Sequence, residues 1–256
     1  MMYLLADFDY NLLYLVVAGF IAGFINTIAG GGSLITLPVL IFLGLPPSIA
    51  NGTNRIGILL QTFTGAVGYR SKGIKTFPFS IYCGISALIG SVIGAQIAID
   101  IKGETFNKIL AAVMVMVVLL IVFKPKVSVE QVIERTSGKH LWISIIVFFF
   151  LGIYGGFLNA GIGFILLLFL AYFNKMSLVK ANATKVTIAC IYTFAAVVMF
   201  VINDKINWTY GIILALGNIV GAWLSSRWAV KKGDGYVRIF LIIMVTAMAI
   251  RLWFFN

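Results

Sequence analysis

The sequence predicts an all-α polytopic membrane protein of two inverted repeats, each with about four to five membrane-embedded helical segments and a first helix broken by glycine. Of the 256 residues, 61% are hydrophobic and only 11% are charged, whereas soluble domains are about half apolar and a quarter charged. A spanning helix needs roughly 20 apolar residues. The chain has uncharged runs at 10–54, 56–69, 76–99, 109–123, 141–174, 186–203, 206–226 and 239–250. A water-soluble globule is therefore excluded.

An internal repeat organises these runs. The aligned segments are 23–26 (GFIN) with 156–159 (GFLN), 29–32 (AGGG) with 160–163 (AGIG), 50–55 (ANGTNR) with 181–186 (ANATKV), and Gly84, Gly90 and Gly94 with Gly211, Gly217 and Gly221. Four landmarks in the same order indicate a duplication. We therefore predict a first membrane repeat at 1–125 and a second at 141–256, joined by a polar linker at 126–140.

Each half is predicted to hold a helix, a glycine break, a short segment and further helices. The predicted segments are 10–29, 33–44, 48–69, 76–99 and 105–123 in the first half, and 141–160, 163–173, 178–202, 208–227 and 236–255 in the second. As a helix, the 33–44 segment would rise only about 18 Å, which is less than the roughly 30 Å hydrocarbon core. It is either a compressed crossing or one arm of a re-entrant hairpin, and the same choice applies to 163–173.

Basic residues cluster in three predicted loops, and these loops predict the orientation of the protein in the membrane. They are Arg70, Lys72 and Lys75 in the first loop, Lys124, Lys126, Arg135 and Lys139 in or beside the linker, and Arg227, Lys231, Lys232 and Arg238 in the third. Positive loops face the cytoplasm, so the stretch 124–140 is predicted to be cytoplasmic and both termini to be outside a plasma (inner) membrane. The acids Asp7 and Asp9, without a nearby base, agree with an outer N-terminus.

The two repeats are predicted to be inverted because aligned loops fall on opposite sides. The basic loop at 70–76 aligns with the nearly neutral loop at 203–207, so each half must cross the membrane an odd number of times. Inverted repeats around a midplane site recur in secondary transporters. The net charge of +11 follows from the same loop rule, so nucleic acid is not implied as a partner.

The acids are all placed at helix ends or in loops: Asp7, Asp9, Asp100, Glu104, Glu130, Glu134, Asp204 and Asp234. Proton and cation sites within membranes are normally built on buried Asp, Glu or His, and the only histidine is His140 at the linker boundary. With the two cysteines in apolar helices, no metal site, disulfide or cofactor is implied. The polar groups at membrane depth are neutral amides, hydroxyls and two bases, which suits a small anionic substrate.

Arg55 and Lys185 are the two bases at depth. A charge within the membrane costs at least about 2.5 kcal/mol unless it has a functional partner or its side chain reaches the interface. Inverted topology would bring Arg55 from one side and Lys185 from the other toward the midplane, where both could contact an anion. The alternative is that both long side chains snorkel to the head groups.

The glycine breaks are the second candidate feature. Each break precedes a short segment whose first amide N–H groups lack helical partners and carry the positive end of a helix dipole, which favours an anion. The predicted substrate-binding residues are therefore Asn26, Gly30, Gly31, Gly32, Ser33, Asn51, Thr53, Asn54, Arg55, Asn159, Gly161, Gly163, Asn182, Thr184 and Lys185. Gly90 with Gly94, and Gly217 with Gly221, have the small-xxx-small spacing of helix packing.

The segment 23–33 (GFINTIAGGGS), followed by Leu37-Pro38 and by 50–55 (ANGTNR), resembles the signature of the sulfite exporter TauE/SafE family. The resemblance spans both halves, although Gly161-Ile162-Gly163 lacks the full glycine triplet and the serine. It implies an inner-membrane permease with duplicated hydrophobic halves that moves sulfite, sulfoacetate or related organosulfonates, and in many members an unassigned anion.

The expected function is therefore secondary transport of a small anion, with sulfite, an organosulfonate or a related sulfur oxyanion as the leading substrate class. An anion channel is the alternative, because it uses the same donors without alternating access. An intramembrane enzyme would need a nucleophile with a base, or a metal cluster, and the chain is not expected to be an enzyme. A purely structural scaffold would not need two bases at membrane depth.

Overall fold

The computed structural model describes residues 10–122 and 133–254, and both ranges are helical without a strand. The helices are α1 (Tyr10–Ile28), α2 (Ser33–Phe42), α3 (Pro47–Arg70), α4 (Phe79–Asp100), α5 (Gly103–Val122), α6 (Gly138–Phe157), α7 (Ile162–Tyr172), α8 (Leu178–Ile202) and α9 (Trp208–Phe254). The predicted all-helical class is confirmed. The described residues do not include Asp7, Asp9, Lys124 or the linker residues 126–132, which contain Lys126.

Within the described ranges, four helices are long and apolar enough to cross a membrane: Phe79–Asp100, Gly138–Phe157, Leu178–Ile202 and the Trp208–Gly233 part of α9. Their apolar side chains do not all turn inward. Ile85, Ile89 and Ile93 form an exposed row along one face of α4, because residues four apart lie on the same side of a helix. In a membrane this row faces lipid.

The short helices do not span the membrane by themselves. With 10 residues in α2 and 11 in α7, these helices rise about 15 and 17 Å, against a hydrocarbon core of roughly 30 Å. A Cβ added to Gly32 would lie 2.8 Å from the Cβ of Asn26, so the start of α2 is packed closely against the last turns of α1. α1 and α2, and likewise α6 and α7, are therefore pairs of helices separated by a short break.

The structure differs from the prediction at three helix ends. α9 consists of two helical parts that meet at Gly233, where the backbone is not helical (φ 76°, ψ −176°), and the first part extends past the predicted end at residue 227. A single glycine can adopt this conformation without steric cost. The predicted break between 208–227 and 236–255 is therefore present, but it is a kink at one glycine rather than a loop of several residues. α4 begins at Phe79 rather than near residue 76, directly after Pro78, and α6 begins at Gly138 inside the predicted linker.

Glycines let α4 and α6 pack closely. A Cβ added to Gly90 would overlap the carbonyl oxygen of Phe149, and one added to Gly94 would overlap that of Ile153. Small residues permit such close approach of helix backbones in membranes. The packing interpretation of this pair is confirmed.

α9 and α1 pack in the same way. A Cβ on Gly217 would overlap the carbonyl oxygen of Val16, and one on Gly221 would overlap that of Phe20. The packing interpretation is therefore confirmed for this second pair also. The contacts are reciprocal, because the first helix of each half lies against the glycine-bearing helix of the other half.

The centre of the bundle is occupied by α3, which packs against α8 and α9. Every residue from Asn51 to Ile58 is buried, although four of these residues are polar or charged. The polar segment of α3 therefore faces protein rather than lipid or water. This arrangement positions the candidate site.

Candidate functional site

The two helix breaks contact each other in the middle of the protein. Gly30 has φ +79°, and a Cβ there would overlap the backbone of Gly163. A Cβ on Gly163 would in turn lie 2.8 Å from the Cα of Gly30. Both positions therefore require glycine, because no side chain fits between the two backbones.

The first break is held by Asn26 on the last turns of α1. The backbone N–H groups of Gly31 and Gly32 donate to Asn26 Oδ1 at 3.0 and 3.4 Å. Asn26 Nδ2 donates to Gln61 Oε1 on α3 at 3.0 Å. The side-chain oxygen of Asn26 thus occupies the place that the sequence predicts for an anion, so these two N–H groups donate to the protein itself rather than lacking a partner.

The second break is held by hydroxyl groups and by Asn159. Gly161 and Asn159 both have positive φ, at 71° and 59°, a conformation that asparagine tolerates better than most residues. Tyr192 OH donates to Asn159 Oδ1 at 2.8 Å, and Asn159 Nδ2 donates to Ser33 Oγ at 3.4 Å. Asn159 thus links the second break to the start of α2.

Arg55 binds the C-terminal end of α6. Its side chain is 0% exposed, and its Nη1 and Nη2 donate to the carbonyl oxygens of Gly155 and Gly156, the latter at 2.7 Å. Asn51 Nδ2 donates to the next carbonyl, that of Phe157, at 2.8 Å. The last carbonyls of a helix have no helical partner and carry the negative end of its dipole. Arg55 therefore caps a helix of the other half.

Lys185 makes the equivalent contact with α1. Its Nζ donates to the carbonyl oxygens of Asn26 and Thr27 at 3.0 and 3.3 Å, and to Asn182 Oδ1 at 2.7 Å. Lys185 is 2% exposed. The snorkelling alternative is therefore wrong for both bases, because each points into the protein and caps a broken helix.

These two charges have no carboxylate partner in the part of the chain that the structure describes. The ion pairs there are Lys108 with Glu104 and Lys180 with Glu134. A buried charge without a counter-charge is costly, and a helix terminus supplies only about half a charge. The centre therefore retains a positive potential.

Several buried N–H donors at the centre also lack a partner among the described residues. They are Asn54 Nδ2, Arg55 Nε, Gln61 Nε2 and Asn182 Nδ2. The orientation of Asn54 is fixed because its Oδ1 accepts from Thr36 Oγ1 at 2.7 Å. Each unpaired buried donor costs about 1–3 kcal/mol, so an acceptor that met them would be bound favourably.

The structure brings together most of the predicted site. Around the two breaks and the two helix ends it places Asn26, Gly30, Gly31, Gly32, Ser33, Asn51, Asn54, Arg55, Asn159, Gly161, Gly163, Asn182 and Lys185. Thr53 lies elsewhere, since its Oγ1 accepts from the N–H of Asn207 at 2.9 Å, just before α9. Thr184 is buried, and its hydroxyl has no hydrogen-bond partner in the described structure.

Four residues at the centre are missing from the predicted set: Thr36, Gln61, Tyr154 and Tyr192. Tyr154 OH donates to the carbonyl oxygen of Ala160 in the second break. Thr36 and Gln61 could have been found, because each is a polar residue in an apolar helix. The tyrosines carried no such signal, since tyrosine is also common at membrane interfaces.

A polytopic helical fold in which two helix breaks meet at a buried polar centre recurs in membrane transport proteins. This chain belongs to the sulfite exporter TauE/SafE family, whose model matches residues 15–252. It is similar to a probable membrane transporter protein of Haemophilus influenzae, with 30% identity over 94% of each chain.

Two further relatives agree with this assignment. The probable membrane transporter protein ORF9 of Sinorhizobium sp is 28% identical over 96% of this chain and 94% of its own length. The probable membrane transporter protein YfcA of Escherichia coli K12 is 25% identical over 91% of this chain and 86% of its own. No solved structure matches the chain significantly.

Proposed function

We propose that this chain is a secondary transporter of a small anion, with sulfite, an organosulfonate or a related sulfur oxyanion as substrate. The observation that carries the proposal is the pair of buried bases, Arg55 and Lys185, which have no carboxylate partner among the described residues and lie beside unpaired N–H donors. Such a centre repels cations and lacks the carboxylates of a proton relay. The description of the family supplies the sulfur oxyanion.

The donors on α3 suggest how an oxyanion is bound. Asn54 and Gln61 are seven residues apart and so share one face of the helix. Both border the first break, because Thr36 of α2 contacts Asn54 and Asn26 of α1 contacts Gln61. A sulfite or sulfonate group offers three oxygens, each of which can accept from an amide or guanidinium N–H donor of this kind. Charge-assisted bonds of this kind are about twice as strong as neutral ones.

The proposal includes two inverted repeats, at 1–125 and 141–256, around the linker at 126–140. Reciprocal packing supports it, since α1 lies against α9 and α6 against α4. The caps are reciprocal too, because Arg55 of the first half binds α6 and Lys185 of the second half binds α1. In transporters of this design, rocking of one part against the other exposes the site to each side in turn.

Membrane orientation follows from the basic loops and can be tested with single cysteines. In a Cys83→Ala, Cys190→Ala background, a thiol placed in the linker by Ser128→Cys should react with an impermeant maleimide only after the cells are permeabilised. A thiol placed in the 203–207 loop by Asp204→Cys should react in intact cells, because that loop is expected to be outside. Labelling of Ser128→Cys in intact cells would refute the predicted orientation, and the same accessibility for both thiols would refute the inverted arrangement.

Substrate class is tested by uptake into proteoliposomes of the purified protein. We expect saturable uptake of at least one anion from a panel of sulfite, sulfate, thiosulfate, small sulfonates and small carboxylates, with acceleration by the same anion on the opposite side. Empty vesicles and vesicles with Arg55→Ala are the controls. Flux that rises without saturation and shows no such acceleration would favour the channel. Movement of cations alone would overturn the proposal.

A further inference from the structure

A groove of about 810 Å³ opens on the lateral surface of the protein, at the cytoplasmic end of α3 in the proposed orientation. Its inner wall includes Ala66 and Tyr69 of α3 and Cys190 and Ile191 of α8. The loop before α4 borders it, and Thr76 Oγ1 of this loop lies 3.5 Å from Thr187 Oγ1 of α8. The residues of the two helix breaks do not line it.

The sides of the groove are apolar and exposed. Phe63, Val67, Phe77 and Ile81 line it, and each is exposed in the protein chain alone. In a membrane protein, such side chains at a lateral surface are solvated by lipid tails. A cleft between them therefore has the chemistry to hold an acyl chain.

The mouth of the groove is positively charged. Arg70 and Lys75 are among its lining residues, and the segment 70–78 (RSKGIKTFP) also holds Lys72 and no acid. The guanidinium carbon of Arg70 lies 5.8 Å from the centroid of the Phe77 ring, which directs this charge across the apolar side of the groove. Basic residues at a cytoplasmic membrane surface attract anionic head groups.

We propose that this groove binds one anionic phospholipid, with an acyl chain between α3 and α8 and the phosphate against Arg70 and Lys75. The apolar cleft and the bases at its mouth match the two parts of one molecule. A soluble anion would leave the apolar walls unoccupied, and a zwitterionic lipid would bring a positive group to the same bases. The proposal does not depend on the identity of the transported substrate.

The test is lipid retention by the full chain. Protein reconstituted in vesicles of phosphatidylglycerol and phosphatidylcholine is extracted in mild detergent, and the lipid that remains bound is measured by mass spectrometry. Wild type should retain phosphatidylglycerol in preference to phosphatidylcholine. The double variant Arg70→Gln, Lys75→Gln should reduce that preference about twenty-five-fold, or about fivefold for each base.

Two further variants distinguish a specific lipid-binding site from a general effect of positive charge on the protein surface. Lys231→Gln with Lys232→Gln removes two exposed bases from α9 and should leave the preference intact. Ala66→Phe fills the groove without a change in charge and should lower the retention of both lipids. Equal loss of preference in the α9 variant, or full retention of phosphatidylglycerol in Ala66→Phe, would overturn the proposal.

Discussion

Arg55→Ala is expected to reduce transport of the substrate anion about a hundredfold at matched protein abundance. The substitution removes a buried positive charge and the donors that contact Gly155 and Gly156. Breaking one side of a desolvated charge contact costs on the order of 2–4 kcal/mol of affinity. The measurement is substrate affinity and initial uptake rate in reconstituted vesicles, and Lys185→Ala should show a loss of the same kind.

Arg55→Lys should restore only part of the activity. A single ammonium group cannot reproduce the planar fork of the guanidinium, which reaches two acceptors at once. Full activity in Arg55→Lys, together with nearly normal Lys185→Ala, would move the site onto the asparagine and glycine backbone donors. Lys108→Ala is the matched control, because Lys108 is an exposed base whose partner is Glu104.

Arg55 also donates to the last carbonyls of α6. A second measurement therefore distinguishes a role of Arg55 in substrate binding from its role as a cap of this helix. Loss of the cap alone would lower the thermal stability of the protein without altering its response to substrate. We expect the substrate anion to raise the unfolding temperature of wild type, as any ligand of the folded state does, and to have little effect on Arg55→Ala. An equal rise in both proteins would assign Arg55 a purely structural role.

Gly31→Leu is expected to abolish transport while leaving the amount of protein in the membrane nearly unchanged. A Cβ at Gly31 would meet only Leu34 Cδ1, at 3.6 Å, so the position has space. Its φ of +131° adds some strain for a residue with a side chain, but the main expected effect is that a bulky side chain blocks close approach of a ligand to the break. Immunoblotting of membranes and uptake at matched abundance are the measurements.

Gly30→Ala is the contrasting variant in the same break. A Cβ there would overlap the backbone of Gly163, so this protein should be depleted from the membrane rather than inactive within it. If Gly31→Leu is also depleted, that glycine serves packing. Normal transport by Gly31→Leu would exclude both a ligand role and a packing role.

Local signals in the sequence are sufficient to predict the helices and their interruptions. Hydropathy and glycine positions are local signals, and a lipid environment leaves the backbone few alternatives to the helix. The breaks before α2 and α7 and the close packing at Gly94 and Gly221 were therefore predictable. The break predicted between 227 and 236 is also present, as the kink at Gly233, although the residues on either side of that glycine stay helical.

The contacts of the polar residues could not be predicted in this way, because they depend on how distant helices pack. The sequence identified Arg55 and Lys185 as bases at depth, but their acceptors are helix-end carbonyls about a hundred residues or more away, at Gly156 and Asn26. The same holds for Thr53, whose partner Asn207 lies in a distant loop. A side chain's residue type fixes what it can donate, whereas its partner depends on how the two halves pack, and no local pattern in the sequence records that packing.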